Sequence, residues 1–285
     1  MRLCSVLLLL FLSLPVSVFA APERITPLAH GLLDGVGLAC DEQGGCFVSL
    51  CRRGEVVRVA ANGKVVVVAR GIKFPTGIVR ADDGAVYCAS AGENSIWALS
   101  VSAQNSPDSG DTGGPGGDVV HGASHVRLLR HGGAPSVLHL DSDGGILLVR
   151  GREGAVVRLT PGGGSRMLLN GLHSPLAVVP WNGGLAVLCR KSTWEYDLLF
   201  FDNGRKTADV LSGMPEQPGP GLGVYGRWLL VPDYGKGGVT AISDNGEVRR
   251  VAGSIAHPVA VRADGKGRLF VLSSATGTLH VVENW

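Results

Sequence analysis

Segments that open on a short glycine- or serine-led loop, run into an apolar stretch and then turn begin at Gly31, Gly71, Gly132, Gly171, Gly213 and Ser254. Successive starts lie 40, 61, 39, 42 and 41 residues apart. The long interval contains a polar stretch of Gly, Ser, Asp and Pro from Ser102 to Ser124, and without it returns to near 40. A period of this size marks a repeat architecture. Each repeat carries short apolar runs separated by turn residues, at about 36–40, 46–50, 55–60 and 64–69 in the first. None of the gaps reads as the helix of roughly 10–15 residues that a TIM barrel places between strands, and the rungs of a β-helix are shorter. The pattern predicts an all-β, six-bladed β-propeller with four-stranded blades.

The turns agree. Asn62-Gly63, Asn203-Gly204 and Asn245-Gly246 join third to fourth strands, where a tight hairpin needs positive φ. Asp83-Gly84 and Asp143-Gly144 do the same between first and second strands. The final repeat supplies only three strands before the chain stops, while a spare strand over 24–30 precedes the first repeat. That spare strand is expected to complete the last blade and close the ring, because an open ring leaves unpaired edges.

Ahead of the repeats, Met1-Arg2, an apolar run over 6–14 and Val18-Phe19-Ala20 form a signal-peptide pattern with cleavage after Ala20. The run is too short for a spanning helix, which needs roughly 18 or more residues. Residues 21–285 then form one propeller domain with a flexible insertion at about 102–124, in a secreted, periplasmic or secretory-lumen protein. Charge is nearly balanced, with 26 basic and 24 acidic residues and no basic block, so a nucleic-acid partner is not expected. Glycine is abundant, 43 in 285 residues, as a chain of tight turns requires. Five cysteines follow the signal, an odd number, so at least one stays unpaired within the chain. Cys40 and Cys46 flank a hairpin turn and are placed to form a disulfide bond.

The run P-x-G-hydrophobic, D-x-x-G-x-hydrophobic and G-x-V-x-x-V resembles the NHL repeat and the wider six-bladed senescence-marker/gluconolactonase-like group. The resemblance spans the mature chain. It implies the propeller fold, and, in the enzymes of the group, one divalent cation (Ca or Zn) over the central channel. Asp233, in VPDYGKGG, matches the late aspartate of those enzymes. The first repeat has Asp34 where they carry a glutamate, and the fourth lacks their asparagine. His131, His173 and His257 precede three different blades, as the zinc-binding histidines of the amidating-lyase relatives do.

Propeller topology gathers the loops before each first strand and after each second strand at one mouth, the default binding site. There Arg150, Arg152, Arg190 and Lys191 supply positive charge. Glu93, Glu195 and Asp233 supply carboxylates. Trp194, Tyr196 and Tyr234 offer rings to a flat or sugar-like ligand, or pack between blades. His139 lies inside a strand and reads as a core residue. No G-x-S-x-G, P-loop or dinucleotide motif occurs. Two functions remain. One is a propeller that binds an extracytoplasmic protein or glycan at its mouth. The alternative is a divalent-metal-dependent lactonase or lyase acting on a small molecule there.

Overall fold

The computed structural model describes residues 22–99, 126–127, 135–160, 164–202, 204–208 and 214–285. The expected signal segment at 1–20, the expected insertion at about 102–124 and His131 lie outside the described residues. Twenty-four strands form six four-stranded antiparallel sheets. Blade 1 holds β2 (Gly35–Cys40), β3 (Cys46–Leu50), β4 (Glu55–Val59) and β5 (Val65–Arg70). Blade 2 holds β6 (Pro75–Arg80), β7 (Val86–Ser90), β8 (Ser95–Leu99) and β9 (Val126–Arg127). Blade 3 holds β10 (Pro135–Leu140), β11 (Ile146–Arg150), β12 (Ala155–Leu159) and β13 (Ser165–Leu169). Blade 4 holds β14 (Pro175–Trp181), β15 (Gly184–Arg190), β16 (Tyr196–Asp202) and β17 (Arg205–Ala208). Blade 5 holds β18 (Gly223–Tyr225), β19 (Trp228–Pro232), β20 (Val239–Ser243) and β21 (Val248–Val251). Blade 6 holds β22 (Pro258–Ala263), β23 (Leu269–Ser273) and β24 (Thr278–Glu283), and takes β1 (Arg24–Ala29) as its outer strand.

The ring therefore closes as the repeat count requires. β1 pairs antiparallel with β24 from Arg24 opposite Glu283 to Ala29 opposite Leu279. Glu23, just outside the strand, is not idle: its carboxylate accepts the backbone N–H of Ala252, which sits at φ 54°. The Asn-Gly turns differ in detail from the expected paired-positive-φ hairpin. At Asn62-Gly63 only the glycine is left-handed, at φ 83°. Gly63 N–H donates to the Ala60 carbonyl at 2.9 Å, and Asn62 Oδ1 accepts Lys64 N–H at 3.0 Å. This is a three-residue loop with the glycine at its bulge.

The core lies between blades. Six buried apolar clusters fill the six blade interfaces. A strand's successive side chains point to opposite faces, so each middle strand feeds two interfaces. In β23, Leu269 and Val271 pack toward blade 5, while Phe270 and Leu272 pack toward blade 1. This is why the middle strands read as continuous apolar runs rather than alternating ones. Each such side chain contributes about 1.5–3 kcal/mol. Truncating the fully buried Phe270 to alanine costs about 3–5 kcal/mol.

Inner strands crowd toward the axis and need small residues there. A Cβ on Gly37 would lie 2.1 Å from the Thr76 carbonyl oxygen, and one on Gly77 2.4 Å from Leu138 N. Equivalent places hold Ala177, Gly221 and Ala260. In five blades the inner strand shifts register just after its first residue. Bulges of this kind bend a strand at a barrel or channel rim. They leave Val36, Thr76, Ser136, Leu176 and Val259 half-exposed at the upper inner edge. No helix among the described residues is long and apolar enough to cross a membrane.

Candidate functional site

The upper mouth is built from the loops expected to form it, and each blade contributes. In the loops that enter blades 2, 4 and 6, the residue before the proline is forced into the left-handed region: Phe74 at φ 51°, Ser174 at φ 41° and His257 at φ 42°. A residue preceding proline is normally extended, so the three share one strained turn that aims their side chains outward. Phe74 and His257 are exposed as a result.

The sequence-predicted residues separate into two groups. Asp233, Glu93 and Arg150 are spent on the scaffold. Asp233 is buried, 4% exposed. One of its carboxylate oxygens accepts Lys236 N–H at 2.9 Å and the other pairs with Arg250 at 3.4 Å. It thereby fixes the turn 233–238 to β21. Glu93 accepts from Trp97 Nε1 at 2.9 Å and from Ser90 Oγ at 3.2 Å. Arg150 pairs with Glu153 at 2.9 Å, and its Nε is buried with no partner among the described residues. Tyr196 packs partly against the core between blades 4 and 5.

Trp194, Tyr234 and Arg190 stay available. Trp194 is 70% exposed and Tyr234 39%. Leu33 at 64% and Phe74 at 57% join them on the same mouth, where sequence reasoning did not place them. Between these apolar groups stand Arg52, Lys73, Arg152, Arg190 and Lys191, exposed and without a carboxylate partner among the described residues. The Tyr234 ring stacks on His257, with centroids 4.8 Å apart and planes 21° apart. His173 is oriented by its Nδ1–H, which donates to the Arg190 carbonyl at 2.9 Å and leaves Nε2 as an acceptor. On the floor, Ser136 Oγ is buried with no partner among the described residues. A cleft of about 200 Å³ lined by Trp181, Phe200, Phe201 and Asp244 lies on the opposite face, away from this mouth.

Among the described residues, which do not include His131, the candidate donors do not fit a resident divalent cation of the kind the resemblance implies. Asp34 is engaged by the backbone N–H groups of Arg52 and Arg53 and by the Arg53 guanidinium at 3.0 Å. Partial burial acts to raise its carboxyl, but the Arg53 contacts outweigh that and hold it below the usual range. Asp233 is committed as described. His173 and His257 stand on non-adjacent blades. Among the described residues no group of three His, Cys, Asp or Glu side chains converges on a point.

The chain matches no protein-family description and no curated protein. Its fold does match solved structures. A gluconolactonase from Xanthomonas campestris superposes with TM-score 0.73 at 16% identity, covering 92% of this chain and 90% of that one. The aldose sugar dehydrogenase of Streptomyces coelicolor, in its PQQ-bound form, gives 0.69 at 16%, covering 92% and 99%. A catalytically inactive histidine-to-alanine form of virginiamycin B lyase from Staphylococcus aureus, with quinupristin, gives 0.62 at 16%, covering 92% and 99%. This chain is a six-bladed β-propeller with the fold of gluconolactonases, a fold that in other proteins also carries lyase and sugar-dehydrogenase chemistry.

Proposed function

We propose that this chain is an enzyme of the lactonase or lyase type that opens a small cyclic ester at the upper mouth, with His257 as its acid–base group. The observation that carries the reading is the Tyr234–His257 stack. It holds an imidazole at the mouth with neither ring nitrogen hydrogen-bonded to any described residue. An imidazole whose two ring nitrogens are both free can give and take a proton, as general acid–base work requires. The inactive histidine-to-alanine form of the staphylococcal lyase supports histidine chemistry on this fold. Exposed cations around the mouth suit charge developing on a carboxylate leaving group or product. Because the donor set does not fit a cation, no step is assigned to a metal. The N-terminal signal pattern supports a secreted, periplasmic or secretory-lumen setting for this activity.

The test is a panel of sugar lactones and cyclic depsipeptides incubated with purified protein and read by mass spectrometry. Hydrolysis adds one water, whereas elimination opens the ring at unchanged mass. The reading expects ring opening of at least one class, unaffected by chelator. A second reading, a propeller that binds a protein or glycan, is favoured by the exposed Phe74 and Trp194 beside arginines, residue types enriched at interfaces. No turnover on the panel, together with capture of an extracytoplasmic protein or glycan that is lost in Trp194→Ala, would move the conclusion there.

A further inference from the structure

The lower half of the central channel holds a positive charge that the protein does not neutralise. Arg262 lies on the inner strand β22, one residue before its end. One guanidinium nitrogen, Nη1, is anchored by three carbonyls: Leu222 at 2.5 Å, Val261 at 2.8 Å and Gly221 at 3.4 Å. Blade 5 has glycine at 223, the matching place, where a Cβ would lie 2.7 Å from the Val261 carbonyl oxygen. No carboxylate pairs with Arg262 among the described residues, and the rest of its guanidinium edge has no protein partner there. The acidic groups that feel its charge are the thiols of Cys40 and Cys46. Burial pushes the Cys46 thiol well above its usual range, so it supplies no counter-charge at neutral pH. Burial also lowers Arg262, but only to about 10, so it stays cationic. A half-buried guanidinium with no counter-charge is costly unless a ligand or water completes it.

Across the channel stands His139, at the same level of β10 in the opposite blade. Its Nδ1 lies 2.9 Å from the Leu140 carbonyl. That nitrogen must therefore carry the proton, which leaves Nε2 of neutral His139 as an acceptor with no partner among the described residues. Burial, and then the Arg262 charge, push His139 down to about 4. Two facing inner strands thus offer donors with positive charge on one and an acceptor on the other, at one level of the ring.

We propose that the lower channel binds a small hydroxycarboxylate, with its carboxylate on Arg262 and a hydroxyl donating to His139 Nε2. The site is separate from the upper mouth and does not depend on the reaction assigned there. The probe is gluconate, whose hydroxyl on every carbon beyond the carboxylate removes the need to match one span; hexanoate is the hydroxyl-free comparison. Calorimetric titration is expected to show gluconate binding several-fold tighter than hexanoate. Arg262→Met should weaken gluconate at least tenfold, with Arg262→Lys intermediate. His139→Phe should leave the two acids equal. The outcome distinguishes this site from product binding at the mouth, since Trp194→Ala and His257→Gln should leave it unchanged. No gluconate binding to the wild type would overturn the proposal, as would unchanged affinity in Arg262→Met. Should Arg262→Met fail to fold, a gluconate preference that persists in His139→Phe would overturn it equally.

Discussion

Cys40 and Cys46 are direct cross-strand partners in β2 and β3, with their sulfurs 3.5 Å apart. The adjacent ladder bond runs from Asp41 N to the Gly45 carbonyl at 2.9 Å, so the cysteines occupy the close, non-hydrogen-bonded position. Both are thiols in this structure. Exposure to an oxidising compartment is expected to join them with little backbone movement. Peptide mapping of unreduced protein should recover Cys40 and Cys46 in one linked species and Cys51, Cys88 and Cys189 as free thiols. Alkylation of both Cys40 and Cys46 without reductant would contradict this.

Ring closure makes β1 more valuable than its six residues suggest. It covers the outer edge of β24, and its Ala29 joins the core between blades 6 and 1. Starting the chain at Gly31 removes about five ladder pairs and the packed side chains of Ile25, Leu28 and Ala29, a loss on the order of 5 kcal/mol. The truncated chain should melt far lower and self-associate on size-exclusion chromatography. Removing Ala21 and Pro22 alone should change neither reading. An unaltered melting temperature for the Gly31 start would show that β1 does not close the ring.

His139 makes stability fall in mild acid. Its folded-state pKa, about 4, lies below the ordinary value of 6.5. Between those limits the unfolded chain binds the proton and the folded chain does not, so stability declines as pH drops from 6.5 to 4 and levels off below. The ceiling on this effect is about 3 kcal/mol. His139→Gln should flatten that part of the melting-temperature profile relative to wild type. Parallel profiles for the two proteins across pH 4–6.5 would mean that His139 titrates normally.

The architecture was legible because propeller repeats impose it locally. Spacing located every blade, and the missing fourth strand after Glu283 pointed to Arg24–Ala29. Blade 5 was the least legible. Its inner strand, Gly223–Tyr225, is only three residues long and is entered through Pro218-Gly219-Pro220-Gly221-Leu222, where close packing of Gly221 against Ala260 demands glycine and erases the β-branched signal. The site was only partly legible. Tyr234 and Trp194 could be assigned to the mouth from topology, but the pairing of Tyr234 with His257 depends on how neighbouring blades pack. Asp233 looked like a ligand because of its place after β19, and nothing local revealed that Arg250, seventeen residues on, would claim it. Arg262 and His139 carry no motif; their relation exists only across the closed ring.

The role of His257 is the claim on which the functional account rests, and the kcat of the His257→Gln variant tests it most directly. On whichever lactone or cyclic depsipeptide the wild type opens, the account predicts a drop of about 10²–10⁴-fold in kcat. KM should change little, and the fold should survive, since the side chain is exposed and only its ring contact with Tyr234 is lost. Tyr234→Phe, which keeps the stack, should retain most of the rate. A His257→Gln enzyme that turns over within a few-fold of wild type would contradict the assignment of the chemistry to this mouth.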